Sequence, residues 1–173
     1  MRKIILSLAV SLDGFIEGPN GEYDWCFTDQ DYGMSDFLKR IDAILMGRKS
    51  YEVAAAYEGA NPWEGTKTYV FSNTLTNLPD GYELVNGDII AAIENLKQSK
   101  GKDIWLFGGA ALTAALMEAG LVDEIHLAVH PILLGNGKPL FSGISERVKL
   151  NLADSKTYDT GLVFLIYTTA KLS

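Results

Sequence analysis

The fold is decided by one stretch of the chain, residues 104–120, which reads IWLFGGAALTAALMEAG. Residues 104–107 form a short apolar run, which is typical of a buried strand. After the Gly108-Gly109 pair, Leu112 and Leu116 recur at the four-residue spacing of one helix face. The stretch therefore predicts a strand that turns directly into a helix through two glycines.

A strand–glycine–helix junction has two interpretations. Glycines let the backbone approach a phosphate closely, and the unpaired N–H groups of the helix start attract its charge. Two glycines can also simply make a tight turn, and spacing alone leaves both interpretations open. The sequence has neither the G-x-G-x-x-G dinucleotide pattern nor a Walker P-loop.

A second junction of this kind follows the apolar residues 43–46. It reads Gly47-Arg48-Lys49-Ser50, and its two cations would suit a phosphate or an adenosine 2′-phosphate. A solvated basic turn is the alternative for this segment alone. Ligands of open α/β sheets bind at the carboxyl ends of strands, so two junctions in one sheet favour a nucleotide site.

The remaining patterns extend this to an α/β fold. Residues 3–12 and 68–71 read as buried strands, residues 48–57 as a helix, and Ser35 and Asp88 as caps of two more helices. Residues 122–134, 148–153 and 162–169 predict three strands with no helix between them. We therefore expect one domain over residues 1–173, with three layers: a mostly parallel central sheet, an antiparallel C-terminal edge, and helices on both faces.

Composition excludes several classes of protein. The 173 residues carry 15 Lys+Arg and 22 Asp+Glu, a net charge of −7, which argues against non-specific nucleic-acid binding and a polybasic membrane surface. The single cysteine, Cys26, excludes an intramolecular disulfide framework and a multi-thiolate zinc site. Apolar runs are far shorter than the ~18 residues of a spanning helix. A soluble, cytoplasmic protein is expected.

Other residues that could carry chemistry each have an ordinary explanation. Asp13, after the first strand, could orient a substrate or relay a proton, although Asp-Gly is also a common turn dipeptide. Trp25 could stack on a planar ring or cover the edge of a core. Cys26 has no activating neighbours in sequence and is expected to be inert. His126 and His130 lack a third ligand, so hydrogen-bonded strand histidines are favoured over a metal pair.

Taken together, five segments resemble the dihydrofolate-reductase-like fold, and specifically the family of the C-terminal reductase domain of the bacterial riboflavin enzyme. They are SLDGFI at 11–16, ILMGRKSYE at 44–52, VFSNTL at 70–75, LFGGAALTAALMEAGLVDEIHL at 106–127 and HPILLGNGKPLF at 130–141. The resemblance implies an NADPH-dependent reductase, commonly a homodimer. Such an enzyme transfers hydride to a pyrimidine- or pteridine-like heterocycle, as 5-amino-6-(5-phosphoribosylamino)uracil reductase and dihydrofolate reductase do.

The resemblance also assigns roles by motif. Asp13 would be the catalytic carboxylate, and Gly14, Phe15 and Trp25 would line the substrate side. The cofactor residues would be Val10, Gly47, Arg48, Lys49, Ser50, Ser72, Asn73, Phe107, Gly108, Gly109, Ala110, Ala111 and Leu112.

Four residues depart from the family pattern. Phe15 and Phe107 replace a cation and a carboxylate of the riboflavin reductases, and Met34 stands where folate reductases carry a carboxylate. Asn73 replaces an arginine that is frequent in relatives. These departures keep a second function open, that of a catalytically idle NADP(H)-binding dimer. The single cysteine also rules out a deaminase partner domain of the paired-cysteine type.

Overall fold

The structure is a computed structural model that describes residues 1–56, 63 and 65–170. The elements in chain order are β1 (Ile4–Ser11), β2 (Phe15–Glu17), α1 (Met34–Arg40), β3 (Ile41–Gly47), α2 (Arg48–Ala55), β4 (Lys67–Phe71), β5 (Tyr82–Val85), α3 (Ile89–Gln98), β6 (Asp103–Gly108), α4 (Ala110–Glu118), β7 (Glu124–His130), β8 (Lys138–Pro139), β9 (Leu150–Thr157) and β10 (Val163–Thr169). No helix in these ranges is both long and apolar enough to cross a membrane.

The main sheet has eight strands in the order β5-β4-β3-β6-β1-β7-β10-β9. The first six of these run parallel, and β10 and β9 follow as antiparallel neighbours. The predicted parallel sheet with an antiparallel C-terminal edge is therefore confirmed. The short strands β2 and β8 pair separately.

Two hydrophobic cores lie on opposite faces of this sheet. Alternation along β6 sends Ile104 and Leu106 to one face and Trp105 to the other. The Leu106 face is covered by Ile93 of α3 and by α4, whereas α1 and α2 cover the Trp105 face. The chain moves along the sheet in one direction from β1 to β5 and returns from β5 to β7. Right-handed crossovers therefore carry the two helix pairs to opposite faces.

Several local predictions need correction. Ser35 is not a helix cap, because α1 begins at Met34 and the Asp31 carboxylate accepts the Ser35 N–H at 3.0 Å. The helix predicted over 48–57 ends at Ala55, and Tyr57 lies outside the described residues. The strand predicted over 122–134 is confined to Glu124–His130, since the next residue is a proline. Residues 82–85, for which the sequence predicted no element, form β5.

The Asp88 cap is confirmed. Its side chain accepts a hydrogen bond from the Ala91 N–H at 3.1 Å and closes the first turn of α3. The C-terminal strand predicted over 148–153 begins at Leu150 and continues to Thr157. Every residue of β9 is exposed, since it is the outermost strand and no helix covers it.

The amino edge of the sheet is held by ion pairs centred on Glu124. The Arg40 guanidinium donates to both Glu124 oxygens at 2.9 Å, and the Lys3 ammonium donates at 2.8 Å. His126 Nε2 lies 3.0 Å from Oε2 of the same carboxylate. Burial alone would raise the pKa of Glu124, but these bonds outweigh it and lower the pKa to about 2. The carboxylate joins the start of β7 to the end of α1 and to the residue before β1.

Replacing Glu124 with glutamine should therefore destabilise the fold. We expect a loss of about 2–3 kcal/mol in the free energy of unfolding. The loss is limited because Arg40 and Lys3 are partly exposed to solvent, which can replace the lost carboxylate. The wild-type contribution should be complete above pH 4.5 and disappear as the pH falls through about 2. Urea unfolding at several pH values measures the loss of stability and its pH dependence. Asp36→Asn, which breaks an exposed pair with Lys39, is the control and should change stability by less than ~1 kcal/mol.

Candidate functional site

The two glycine junctions meet at the carboxyl edge of the sheet. β3 and β6 are adjacent and parallel, and each runs directly into a helix, α2 on one face and α4 on the other. The junctions touch: a methyl group added at Gly109 would lie 3.4 Å from the Gly47 Cα and 3.5 Å from the Ser50 Oγ. Ligands of open α/β sheets bind where successive crossovers leave to opposite faces, and this is such a point.

Both helices begin without a capping side chain. Gly47 precedes α2 and Gly109 precedes α4, and neither helix start is bonded by a side chain. By contrast, Asp88 caps α3. A side chain added at Gly108 would meet no atom within 4 Å, so the space beside this backbone is open. Two positive helix ends therefore face open space side by side, an arrangement that suits an anionic ligand.

The φ angles of this junction explain its two glycines. Gly108 has φ +139° and Gly109 has φ +101°, conformations that side chains of L-residues rarely adopt. The two glycines thus allow the tight backbone turn and also leave the space beside Gly108 open. Spacing alone could not separate these two interpretations, and the structure makes them compatible.

A cluster of hydroxyl groups and one guanidinium lies beside the start of α2. Arg48 Nη1 donates to the Thr74 Oγ1 at 3.1 Å, and its Nε lies 3.5 Å from a Glu52 carboxylate oxygen. The Ser72 Oγ lies 3.3 Å from the Thr74 Oγ1 and also accepts the N–H of Leu75 at 3.1 Å. These groups come from α2 and from the residues that follow β4. Thr74 was not identified from the sequence, because its part depends on this contact.

Asn73 points to a neighbouring strand. Its Oδ1 accepts the N–H of Gly87 at 3.2 Å, just past the end of β5. This bond joins the turns that follow β4 and β5. Lys49 and Ser50 lie in the first turn of α2, where Lys49 is exposed and Ser50 is half-buried.

Asp13 is held by three donors at the end of β1. It accepts the Ser11 hydroxyl at 2.6 Å and the N–H groups of Leu134 and Gly135 at 3.2 and 2.8 Å. The bond from Ser11 is the main cause of the lowered pKa of Asp13, and the Gly135 and Leu134 N–H groups lower it further. The carboxylate is therefore ionised at neutral pH and joins the loop after β1 to the loop after β7.

The loop that carries Trp25 packs against the same edge. The Trp25 ring meets the His130 ring edge-on at 5.3 Å, and its indole N–H donates to the Glu22 carbonyl at 3.3 Å. The Phe27 ring lies 4.9 Å from His130. Phe15, from β2, pairs with Pro139 in the small sheet, and its N–H donates to the Ser11 Oγ.

Rings in edge-on or tilted contact cross the face covered by α1 and α2. Their centroids are spaced by 5.1 to 6.0 Å. In spatial order they are Trp63, Phe107, Trp105, Phe37, His126 and Phe164. Phe107 belongs to this series and lies one residue before Gly108. This mostly buried aromatic cluster thus borders the glycine junctions at Phe107.

Of the residues predicted for a cofactor, two have side chains in the other core. Val10 is 4% exposed and Leu112 is 6% exposed, both against the α3 and α4 face, so only their backbones border the edge. Ala110 and Ala111 form the first turn of α4. Each histidine has partners on its own strand, as predicted. Within the described ranges, no group of three or more His, Cys, Asp or Glu side chains could hold a metal ion.

The order of strands, the helices on both faces and the antiparallel edge define a dihydrofolate-reductase-like fold. The chain belongs to the RibD C-terminal domain family, whose model matches residues 2–164.

The chain is also similar to individual known proteins in sequence and in structure. The uncharacterized protein YyaP of Bacillus subtilis (strain 168) is 44% identical, and the match covers 96% of this chain and 94% of YyaP. The crystal structure of a putative riboflavin biosynthesis protein from Shewanella sp. PV-4 has a TM-score of 0.87 and 27% identity, covering 98% of this chain and 99% of that one. Enterococcus faecalis dihydrofolate reductase, complexed with NADP(H) and RAB-propyl, has a TM-score of 0.71 and 16% identity, covering 96% of both chains.

The reactivity of Cys26 gives a test of this site. Burial, with a smaller effect of the Asp24 charge, raises the pKa of the thiol to about 11. At pH 8 roughly one thiol in a thousand should be ionised, so alkylation by iodoacetamide should be slow and rise about tenfold per pH unit. Mass spectrometry follows the labelling. The guanidinium-unfolded chain should label much faster, and equal rates would contradict the burial of this thiol.

Proposed function

We propose that the protein is an NADPH-dependent reductase that transfers hydride to a pyrimidine- or pteridine-like heterocycle. The observation that carries this proposal is the pair of uncapped helix starts at Gly47 and Gly109, which meet at the carboxyl edge of the sheet. A dinucleotide has two linked phosphates, and two adjacent helix N-termini suit such a ligand. The family membership supports the same class of activity.

The donor set fits the cofactor residue by residue. The backbones of 47–50 and 108–112 would hold the pyrophosphate, with Lys49 and the Ser50 hydroxyl beside it. Ser72 and Asn73 would border the adenosine end, and Arg48 would bind the 2′-phosphate with Thr74. When bound, NADPH supplies the hydride. The open space beside Gly108 is where a side chain would compete with the ligand.

The substrate side would be formed by the loop after β1 and by Phe107 at the edge of the aromatic cluster. Gly14 and Phe15 follow the ionised Asp13, and Trp25 and Phe107 offer flat apolar rings to a planar heterocycle. Because Asp13 is ionised and held by three donors, its role would be to orient the substrate and the two loops. The main contribution to catalysis would be the positioning of nicotinamide against the substrate ring.

The second candidate, an idle NADP(H)-binding dimer, is favoured by the same contacts. The Asp13 carboxylate is engaged by donors, the Phe107 ring packs on Trp63 and Trp105, and Met34 supplies no carboxylate. The two candidates differ in one result. An enzyme should oxidise NADPH in the presence of a pterin, flavin or aminouracil, whereas an idle dimer should bind NADPH and oxidise it with none of them.

Cofactor selectivity tests the proposal directly. Arg48→Ala should raise the Kd for NADPH by about tenfold or more, because a charge-assisted bond to the 2′-phosphate is lost, and should change the Kd for NADH little. Quenching of tryptophan fluorescence measures both constants. Lys39→Ala removes an exposed cation from α1 and is the charge control. Equal losses for the two cofactors would show that Arg48 does not read the 2′-phosphate.

The open space beside Gly108 gives a second test. Gly108→Ala should weaken both NADPH and NADH by about tenfold or more, since the methyl group enters the volume proposed for the pyrophosphate. Gly81→Ala also has a positive φ (+93°) and open surroundings but lies before β5, at the opposite end of the strand, so it controls for backbone strain. If neither cofactor binds wild-type protein, both candidate functions are rejected.

We further propose that the protein is a cytoplasmic homodimer. On β7, β10 and β9, the face toward α3 and α4 carries Leu127, Leu165 and Leu152 but no charged residue among the paired positions. Leu152 is 58% exposed, and an uncharged patch can meet its own copy without repulsion. Light scattering should give twice the chain mass for the wild type and the single mass for Leu152→Asp.

A further inference from the structure

His130 connects the end of β7 to the loop that carries Trp25. Its side chain is buried, with 3% of the residue exposed, and the residue pairs with Ser11 at the end of β1. The rings of Trp25 and Phe27 pack on the imidazole at 5.3 and 4.9 Å. His130 is thus the common contact of two neighbouring loop aromatics.

The hydrogen bonds of His130 fix its protonation state. The N–H of Phe27 donates to Nε2 at 3.0 Å, so Nε2 must carry a lone pair. The other nitrogen, Nδ1, lies 2.9 Å from the Ala128 carbonyl oxygen, which can only accept, so the ring proton is on Nδ1. The loop is therefore bonded to a neutral imidazole of one defined tautomer.

We propose that His130 is a positioning residue that holds the Trp25–Phe27 segment against the sheet only while its imidazole is neutral. Protonation places a second N–H on Nε2, where it opposes the N–H of Phe27, and neither group can accept. The bond is lost, and a charge is then buried with only the backbone groups of Ala128 and Val10 as partners. The segment then separates from β7 and carries Trp25 away from the carboxyl edge.

The direction of the pH effect follows from burial. Burial lowers the pKa of His130 below its ordinary value of about 6.5, and the backbone bonds offset this only in part. The unfolded or opened segment therefore takes up a proton first. The hold on the segment is complete above pH 6.5 and weakens as the pH falls toward and through the lower pKa.

Other titratable groups lie on the elements packed against His130. They are Asp13 after β1, Glu124 and His126 on β7 and, in the loop, Glu22, Tyr23, Asp24, Cys26, Asp29, Asp31 and Tyr32. Asp13 and Asp31 have lowered pKa values because Ser11 and Ser35 donate to them, so both protonate below the window of His130. Asp29 accepts the Tyr32 hydroxyl at 2.7 Å, and Cys26 and Tyr32 titrate far above the window.

His126 provides a matched comparison on the same strand. It lies four residues earlier, on the same face, is also buried, and has its pKa lowered by burial as well. Its Nε2, however, faces Glu124 at the amino edge rather than the Trp25 loop. A change at His126 alters a buried imidazole without touching the segment in question.

The experiment measures hydrogen exchange of the Phe27 amide by NMR between pH 8 and pH 5 in ligand-free protein, relative to intrinsic rates. Tryptophan emission is recorded in parallel, and Trp25→Phe identifies the Trp25 contribution. The variants are His130→Gln, which offers a carbonyl acceptor that does not titrate, and His126→Gln as the control. Imidazole chemical shifts give the pKa of His130 in the wild type.

In the wild type, protection of the Phe27 amide should fall by up to about tenfold per pH unit between pH 6.5 and the lower His130 pKa, as expected for uptake of one proton on opening. Trp25 emission should change over the same range. His126→Gln should keep this profile, whereas His130→Gln should be flat. The proposal would be overturned if the midpoint of the wild-type Trp25 emission change did not match the His130 pKa. It would also be overturned if the His130→Gln profile equalled that of the wild type.

The consequence for substrate binding rests on the proposed function, which assigns Trp25 to the heterocycle side. The loop measurements need no ligand, so the proposed function and the proposed role of His130 can fail separately. If the protein binds neither cofactor nor heterocycle, the proposed function fails and the exchange data still decide the role of His130. If it is a reductase, KM for the heterocycle should rise below pH 6.5 in the wild type and stay constant in His130→Gln.

Discussion

The contact between the Gly47 and Gly109 backbones is the constraint on which the rest of the site depends. β3 and β6 lie side by side, and their helices leave to opposite faces, so the two chains diverge from almost one point. Side chains there would fill the space between the helix starts. With glycine at both positions, the first N–H groups of α2 and α4 border the same open volume. The proposed pyrophosphate contacts are arranged around this volume.

A local electrostatic effect here runs against the charge of the whole chain. The net charge is −7, yet the carboxyl edge presents two positive helix ends together with Arg48 and Lys49. Fields from backbone dipoles act over the first turn only, so they attract a bound phosphate without making the protein a general polyanion binder. Acidic composition and a dinucleotide site are therefore compatible.

The sequence allowed prediction of what depends on local pattern. The strand, the two glycines and the helix of 104–120 were predicted correctly because burial and helix periodicity are both visible in a single stretch. Ser35 misled as a cap, since α1 begins one residue earlier and the Ser35 N–H and hydroxyl both donate to Asp31. The contact of Arg48 with Thr74 and the bond from Phe27 to His130 join residues 26 and 103 positions apart, and no local pattern encodes them. These side-chain contacts could therefore not be predicted from the sequence.

The ion pairs around Glu124 lie at one end of the strands, and the glycine junctions lie at the other. Residues that stabilise the sheet and residues proposed to bind ligands are therefore separate sets, with a full strand length between them. Mutations in the loops of the carboxyl edge leave the ion pairs intact. Such a division lets a lineage exchange one substrate for another while its stability stays above the threshold for folding. The departures at Phe15, Met34 and Phe107 are the changes that an evolvable scaffold of this kind tolerates.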